Sequence, residues 1–150
     1  MSDILAVAST GGHWIQLQRL SRAFEGRTVA YVTVSPKYAA EVGDAPFYPV
    51  HDLTRKNRKG AIILLFQMLG ILLKERPRIV VTTGSAPGLV AIALAKSLFG
   101  ARTIWIDSIA NSEKLSRSGE QARRFADIWL TQWPHLSDED DGPLFRGAVL

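Results

Sequence analysis

Short apolar runs alternate along this chain with stretches in which hydrophobic residues recur every three or four positions. The first run, Asp3 to Ser9, is nearly continuous (Ile4, Leu5, Ala6, Val7, Ala8). A run this short and unbroken predicts a strand buried on both faces of a parallel sheet. Gly12 to Phe24 reads as a helix. Ile15, Leu17, Leu20, Ala23 and Phe24 give it an apolar face, Gln16, Gln18, Arg19 and Arg22 a wet one, and Gly26 stops it. Thr28 to Val34 is a second strand, rich in β-branched residues. Ser35-Pro36 ends it and opens a short helical turn. Phe47 to Val50 reads as a brief third strand, weakened by Pro46 and Pro49.

The alternation continues. Gly60 to Leu73 is a long apolar helix with Pro77 beyond its end, and Ile79 to Thr83 is a strand. Leu89 to Phe99 is a helix closed by Gly100, and Thr103 to Asp107 is another strand. Ser108 to Gly119 is polar and reads as a loop, Glu120 to Ala126 as a short helix, and Asp127 to Thr131 as the last strand. Ser137 to Pro143 reads as a linker, leaving 137–150 as a tail. Strand and helix in strict alternation predict one α/β domain over residues 1–150: a doubly wound, Rossmann-like parallel sheet with right-handed crossovers.

Composition narrows the class. Hydrophobic residues make up 47% of the 150 residues, which excludes a disordered chain and allows one sizeable core. There is no cysteine, which excludes disulfides and thiolate metal sites. The N-terminus lacks the makeup of a signal peptide, so a cytoplasmic location is expected. The net charge of +4 is unevenly placed, with basic clusters at Arg55, Lys56, Arg58, Lys59 and at Lys74, Arg76, Arg78, and an acidic run from Asp138 to Asp141. A basic balance favours anionic partners, whether phospholipid, phosphorylated substrate or nucleic acid. No aromatic residues interleave the first cluster, so nucleic acid is not expected.

Ligands of open α/β sheets sit at the carboxyl ends of the strands, and three such ends carry chemistry. The first is Ser9-Thr10-Gly11-Gly12-His13: the glycines let the backbone approach a ligand, and the following helix start favours an anion. His13 is placed as a general base or a phosphate donor, or else as a solvent-facing histidine on a tight turn. The second is Thr82 to Gly88, where Gly84 and Ser85 offer a second phosphate-binding turn or an ordinary capped helix. The third is Asp107, a base, a sugar ligand or a loop cap. Gly60 to Leu73 carries no charge over fourteen residues, too short to span a bilayer. With its basic flank it reads as a helix packed on the sheet with Phe66 and its neighbours facing a lipid surface, or as a fully buried core helix.

Ser9-Thr-Gly-Gly-His13, Thr82-Thr-Gly-Ser-Ala-Pro-Gly88 and Phe125-Ala-Asp-Ile-Trp-Leu-Thr-Gln-Trp-Pro134 together resemble the MurG-related glycosyltransferases. Within these they resemble the Alg-fourteen-like family with its bacterial PssD-type relatives. The resemblance implies the N-terminal, acceptor-binding half of a GT-B enzyme split over two chains. A small donor-binding subunit of the Alg-thirteen or PssE type would supply the other half. It further implies inverting, metal-free hexosyl transfer from a UDP-sugar to a polyprenyl-diphosphate-linked sugar, at the cytoplasmic face of the inner membrane, with no resident cofactor. His13, or less readily Asp107, would be the base. Thr10, Gly11, Gly12, Gly84 and Ser85 would hold the diphosphate, and Arg55, Lys56, Arg58, Lys59 and Phe66 would meet the anionic membrane. Two other readings stay open: a non-catalytic membrane adaptor that recruits the catalytic subunit, and a self-sufficient nucleotide-binding protein.

Overall fold

The computed structural model describes residues 1–54 and 56–149. Its centre is a parallel sheet of seven strands in the order β3-β2-β1-β4-β5-β6-β7. The strands are β1 (Ile4–Val7), β2 (Val29–Thr33), β3 (Phe47–Pro49), β4 (Ile79–Thr82), β5 (Arg102–Ile106), β6 (Ile128–Thr131) and β7 (Leu144–Phe145). The chain winds outward from β1 to β3, then returns to lay β4 against the other side of β1, pairing Val7 with Thr82. That return makes the carboxyl ends of β1 and β4 the switch point, where sheets of this kind open a crevice.

The helices are α1 (Gly12–Arg19), α2 (Arg58–Glu75), α3 (Ser85–Phe99) and α4 (Arg117–Ala122). Side chains alternate across β1, so Leu5 and Val7 pack under α2 and α3, with Leu64, Met68, Leu72, Ile92 and Trp105. Ile4, Ala6 and Ala8 pack under α1, with Trp14, Leu17 and Phe24. The α1 side is covered by one α-helix and 3₁₀ turns over Ser21–Phe24 and Pro36–Glu41; the other side carries the remaining α-helices. Tyr38 of the second turn stacks on Trp14 at 4.8 Å, and Trp14 Nε1 donates to Glu41 at 2.7 Å.

Five expectations change, one of them the short helix read over Glu120 to Ala126, which runs Arg117–Ala122 because Ser116 caps it. The helix after the first glycine turn ends at Arg19 and continues only as 3₁₀, and its buried side is rotated by one position. Gln16 is buried, and Ile15 is 52% exposed. α2 begins at Arg58 because Asn57 caps it by accepting from Gly60 N at 3.2 Å. α3 begins at Ser85, since proline is tolerated in a first turn and Pro87 stands there. The linker and tail are part of the domain. Asp138 Oδ1 accepts from Asp140 N at 3.0 Å to make a turn, the chain adds β7 beside β6, and Val149 N donates to Gln132 at 2.7 Å.

Candidate active site

Both turns at the switch point leave strands and enter helices within a few residues, so both must bend sharply. Gly11 has φ 64° and ψ −130°, and Gly84 has φ 116° and ψ −169°, regions that side chains with a Cβ rarely enter. Ser85 follows at φ 74°, so the second turn carries backbone strain on a residue other than glycine. Thr83 and His13 tie the two turns together. Thr83 Oγ1 donates to the His13 carbonyl at 2.6 Å, and His13 Nδ1 lies 2.8 Å from the Thr83 carbonyl. A carbonyl only accepts, so Nδ1 carries a proton, and in the neutral ring the lone pair is on Nε2. Nε2 has no hydrogen-bond partner among the described residues. The histidine is half-buried and stands in the first turn of α1.

The starts of the four α-helices differ in one respect. α2 and α4 are capped by the side chains of Asn57 and Ser116, the latter accepting from Gly119 N at 2.9 Å. α1 and α3, which begin at the switch point, have no side-chain cap. Their first-turn amides and positive dipole ends are therefore open to an anion. Not every amide predicted to bind one is free, however. Gly11 N donates to Tyr38 Oη at 3.1 Å, and Gly84 N to Thr82 Oγ1 at 3.1 Å. Thr10 and Gly12 are exposed at the rim, and Ser85 is half-buried beside Gly84.

Of the three readings open for Asp107, its hydrogen bonds fit the loop cap. It is 1% exposed, and its oxygens accept from Trp105 Nε1 (3.1 Å), Asn111 Nδ2 (3.2 Å), Ser116 N (3.0 Å) and Ser116 Oγ (2.7 Å). A carboxylate so enclosed anchors the loop from Asn111 to Ser116 and offers no lone pair to solvent. Two residues that the sequence reading gave no site role join the carboxyl ends of β5 and β6. Gln16 Nε2 donates to Ser108 Oγ at 3.1 Å, and its Oε1 accepts from Ile109 N at 3.1 Å and Gln132 Nε2 at 2.6 Å. Gln132 Nε2 also donates to the Asp107 carbonyl at 3.0 Å, so one buried network fixes α1 to the ends of β5 and β6. A glutamine next to apolar helix positions is the trace this leaves in sequence.

α2 is not a fully buried core helix. Leu64, Met68, Ile71 and Leu72 face the sheet, while Ile62 (59% exposed), Ile63, Leu65, Phe66 (66%) and Leu73 face out. Lys56, Arg58 and Lys59 are exposed at its start; Arg55 lies outside the described residues. Among the described residues no helix is long and apolar enough to cross a membrane.

A seven-stranded doubly wound sheet with an anion-ready switch point is the architecture of one Rossmann-like half of a GT-B glycosyltransferase. MurG of Acinetobacter baumannii superposes with a TM-score of 0.75 at 13% identity, over 97% of this chain and 46% of that one. UDP-GlcNAc 2-epimerase of Methanocaldococcus jannaschii, solved with UDP-GlcNAc and UDP, superposes with 0.63 at 15% identity, over 86% and 40%. The chain belongs to the family described as "Oligosaccharide biosynthesis protein Alg14 like", whose model matches residues 18–149. Two fungal relatives are each named "UDP-N-acetylglucosamine transferase subunit ALG14". That of Eremothecium gossypii is 35% identical over 79 residues, 49% of this chain and 35% of that protein. That of Cryptococcus neoformans is 34% identical over 74 residues, 45% and 32%. The matches thus span about a third of each fungal protein. The second glycine turn and Gln132 lie inside the family match, and the first turn with His13 lies before it.

Proposed function

We propose that this chain is the membrane-docked, acceptor-binding subunit of a two-chain, inverting glycosyltransferase. In this reading a small partner chain of the Alg-thirteen type presents a UDP-sugar, N-acetylglucosamine by analogy with the names of the fungal relatives. The acceptor is a sugar carried on a polyprenyl diphosphate, in polysaccharide or oligosaccharide assembly at the cytoplasmic face of the inner membrane. The observation that carries the proposal is the meeting, at one switch point, of two uncapped helix starts with a histidine whose Nε2 is unoccupied.

The chemistry follows from that arrangement. An acceptor hydroxyl placed against Nε2 gives its proton to His13 as its oxygen forms a bond to the anomeric carbon of the donor. The bond from that carbon to the UDP oxygen breaks, and UDP departs with the electron pair. The Thr83 carbonyl, accepting from Nδ1–H, orients the ring and stabilises the imidazolium that results. The open amides of α1 and α3 attract the acceptor's phosphates. Asp107 is given no proton to move. The outward face of α2 enters the lipid interface, and each basic residue near its start adds about 1 kcal/mol of attraction to anionic lipid.

Reconstitution with the partner on liposomes tests this, with labelled UDP-N-acetylglucosamine and a polyprenyl-diphosphate sugar. His13→Ala is expected to lower kcat by roughly 10²–10⁴-fold with an unchanged circular dichroism spectrum. Wild-type turnover by that variant removes the base, and no transfer by the wild-type complex removes the proposal.

A further inference from the structure

We propose that a cavity beside the β4–α3 turn receives the phosphate groups of a lipid-linked diphosphate, held between Arg58 and Arg117; the inference rests on the acceptor-binding reading above. The cavity measures about 480 Å³. Arg58 enters it from the start of α2 and Arg117 from α4, with Thr54, Asn57 and Ser118 as the other polar lining. No carboxylate among the described residues lines it. Neither arginine makes an ion pair among the described residues, and both are exposed. Two guanidinium groups around one cavity, with no acid to neutralise them, repel one another until an anion arrives. Their planar forks match phosphate oxygens two at a time.

The glycine turns leave this charge to be supplied. No lysine or arginine stands in Ser9 to His13 or in Thr82 to Gly88, and the Gly11 and Gly84 amides are engaged within the chain. Helix starts contribute about half a charge each, less than a diphosphate carries. The cavity lies beside the second glycine turn. Ala86 lines it, and a Cβ on Gly84, two residues earlier, would lie 3.1 Å from the His13 ring. The cavity therefore adjoins the turn that buttresses His13. On the other side, Arg58, Ile62 and Phe66 follow at four-residue spacing along α2, and all are exposed. A prenyl chain leaving the phosphates runs onto that apolar row.

The test is calorimetric titration of the two-chain complex in neutral detergent with geranylgeranyl diphosphate and, separately, inorganic diphosphate. R58A/R117A is expected to bind both at least about tenfold more weakly, as loss of charge-assisted hydrogen bonds implies. Arg22→Ala, on the opposite side of the sheet, is expected to bind as wild type does. If the double alanine variant does not fold, R58Q/R117Q keeps the stems and reads the same loss. Unchanged affinity in a folded double variant overturns the inference, as does wild-type binding of inorganic diphosphate without the prenyl form. Arginine-dependent prenyl binding by a complex that transfers no sugar would keep the cavity and remove the transferase reading. Transfer with an unchanged acceptor KM in the double variant would do the opposite.

Discussion

The two glycine turns occupy equivalent places, each leading from a strand into an uncapped helix, yet they need glycine for different reasons. A Cβ on Gly11 would meet nothing within 4 Å, and one on Gly12 would make only an ordinary contact with Gln16 at 3.7 Å. A Cβ on Gly84 would crowd the His13 ring at 3.1 and 3.2 Å. The first turn borders open space, where the proposal puts the ligand. The second is a packed buttress that presses the histidine into place. Mutations at the second should therefore change the fold and the chemistry together; at the first, Gly11 is still held to glycine by its φ of 64°, and Gly12 is the position where the chemistry alone should change.

The largest effect is expected from Gly84→Ala. The backbone region alone costs about 1–3 kcal/mol, and the new methyl group displaces the His13 ring. Thermal unfolding of the variant should give a Tm lower by roughly 5 °C or more, with transfer lost alongside. A wild-type Tm would mean the turn is not a buttress. Gly12→Ala should leave Tm unchanged or slightly higher, because alanine is the better helix former by about 1 kcal/mol. Its acceptor KM should nevertheless rise several-fold; equal KM values would show that nothing approaches the first turn closely. Ser85→Gly relieves the left-handed strain, and after the entropy cost of glycine a net gain of about 0.5–1 kcal/mol should appear in denaturant titration. Unchanged KM in that variant would leave Ser85 Oγ out of the phosphate site.

The smallest effect concerns the opposite edge of the sheet, where no group waits for a ligand. Burial pushes the Glu75 carboxyl up, but Tyr48 Oη and Ser2 Oγ donate to it and more than reverse this, aided by the N-terminal ammonium at 4.0 Å. Its pKa thus lies below the usual carboxylate value. A depressed folded pKa means stability that is complete above the unfolded pKa and lost as pH falls through the folded one. Glu75→Gln should therefore show a flatter loss of stability in acid than wild type; parallel curves would refute the assignment.

The strands were legible because β-branched and apolar runs leave little alternative once helices alternate with them. The switch point was legible because glycines and a histidine directly after a strand have few structural uses. What escaped is set by tertiary approach. Gln16 reads as wet by type and is buried because Ser108, Ile109 and Gln132 meet it from β5 and β6. Asp107 reads equally as base, ligand or loop cap, and only folding, which surrounds it with donors from Trp105, Asn111 and Ser116, separates these. β7 is two residues long and carries no pattern of its own. The arginine cavity escaped because its walls come from elements far apart in the chain.

The direction of α2 has a consequence for traffic. In a right-handed crossover from β3 to β4 the helix runs back antiparallel to the strands, from the carboxyl edge of the sheet to the amino edge. With its outer face laid along a bilayer, the strands lie flat on the surface and the His13 crevice opens sideways, parallel to the lipid plane. On the proposed function, an acceptor would then arrive and a product depart by diffusion in two dimensions, without either being lifted out of the membrane.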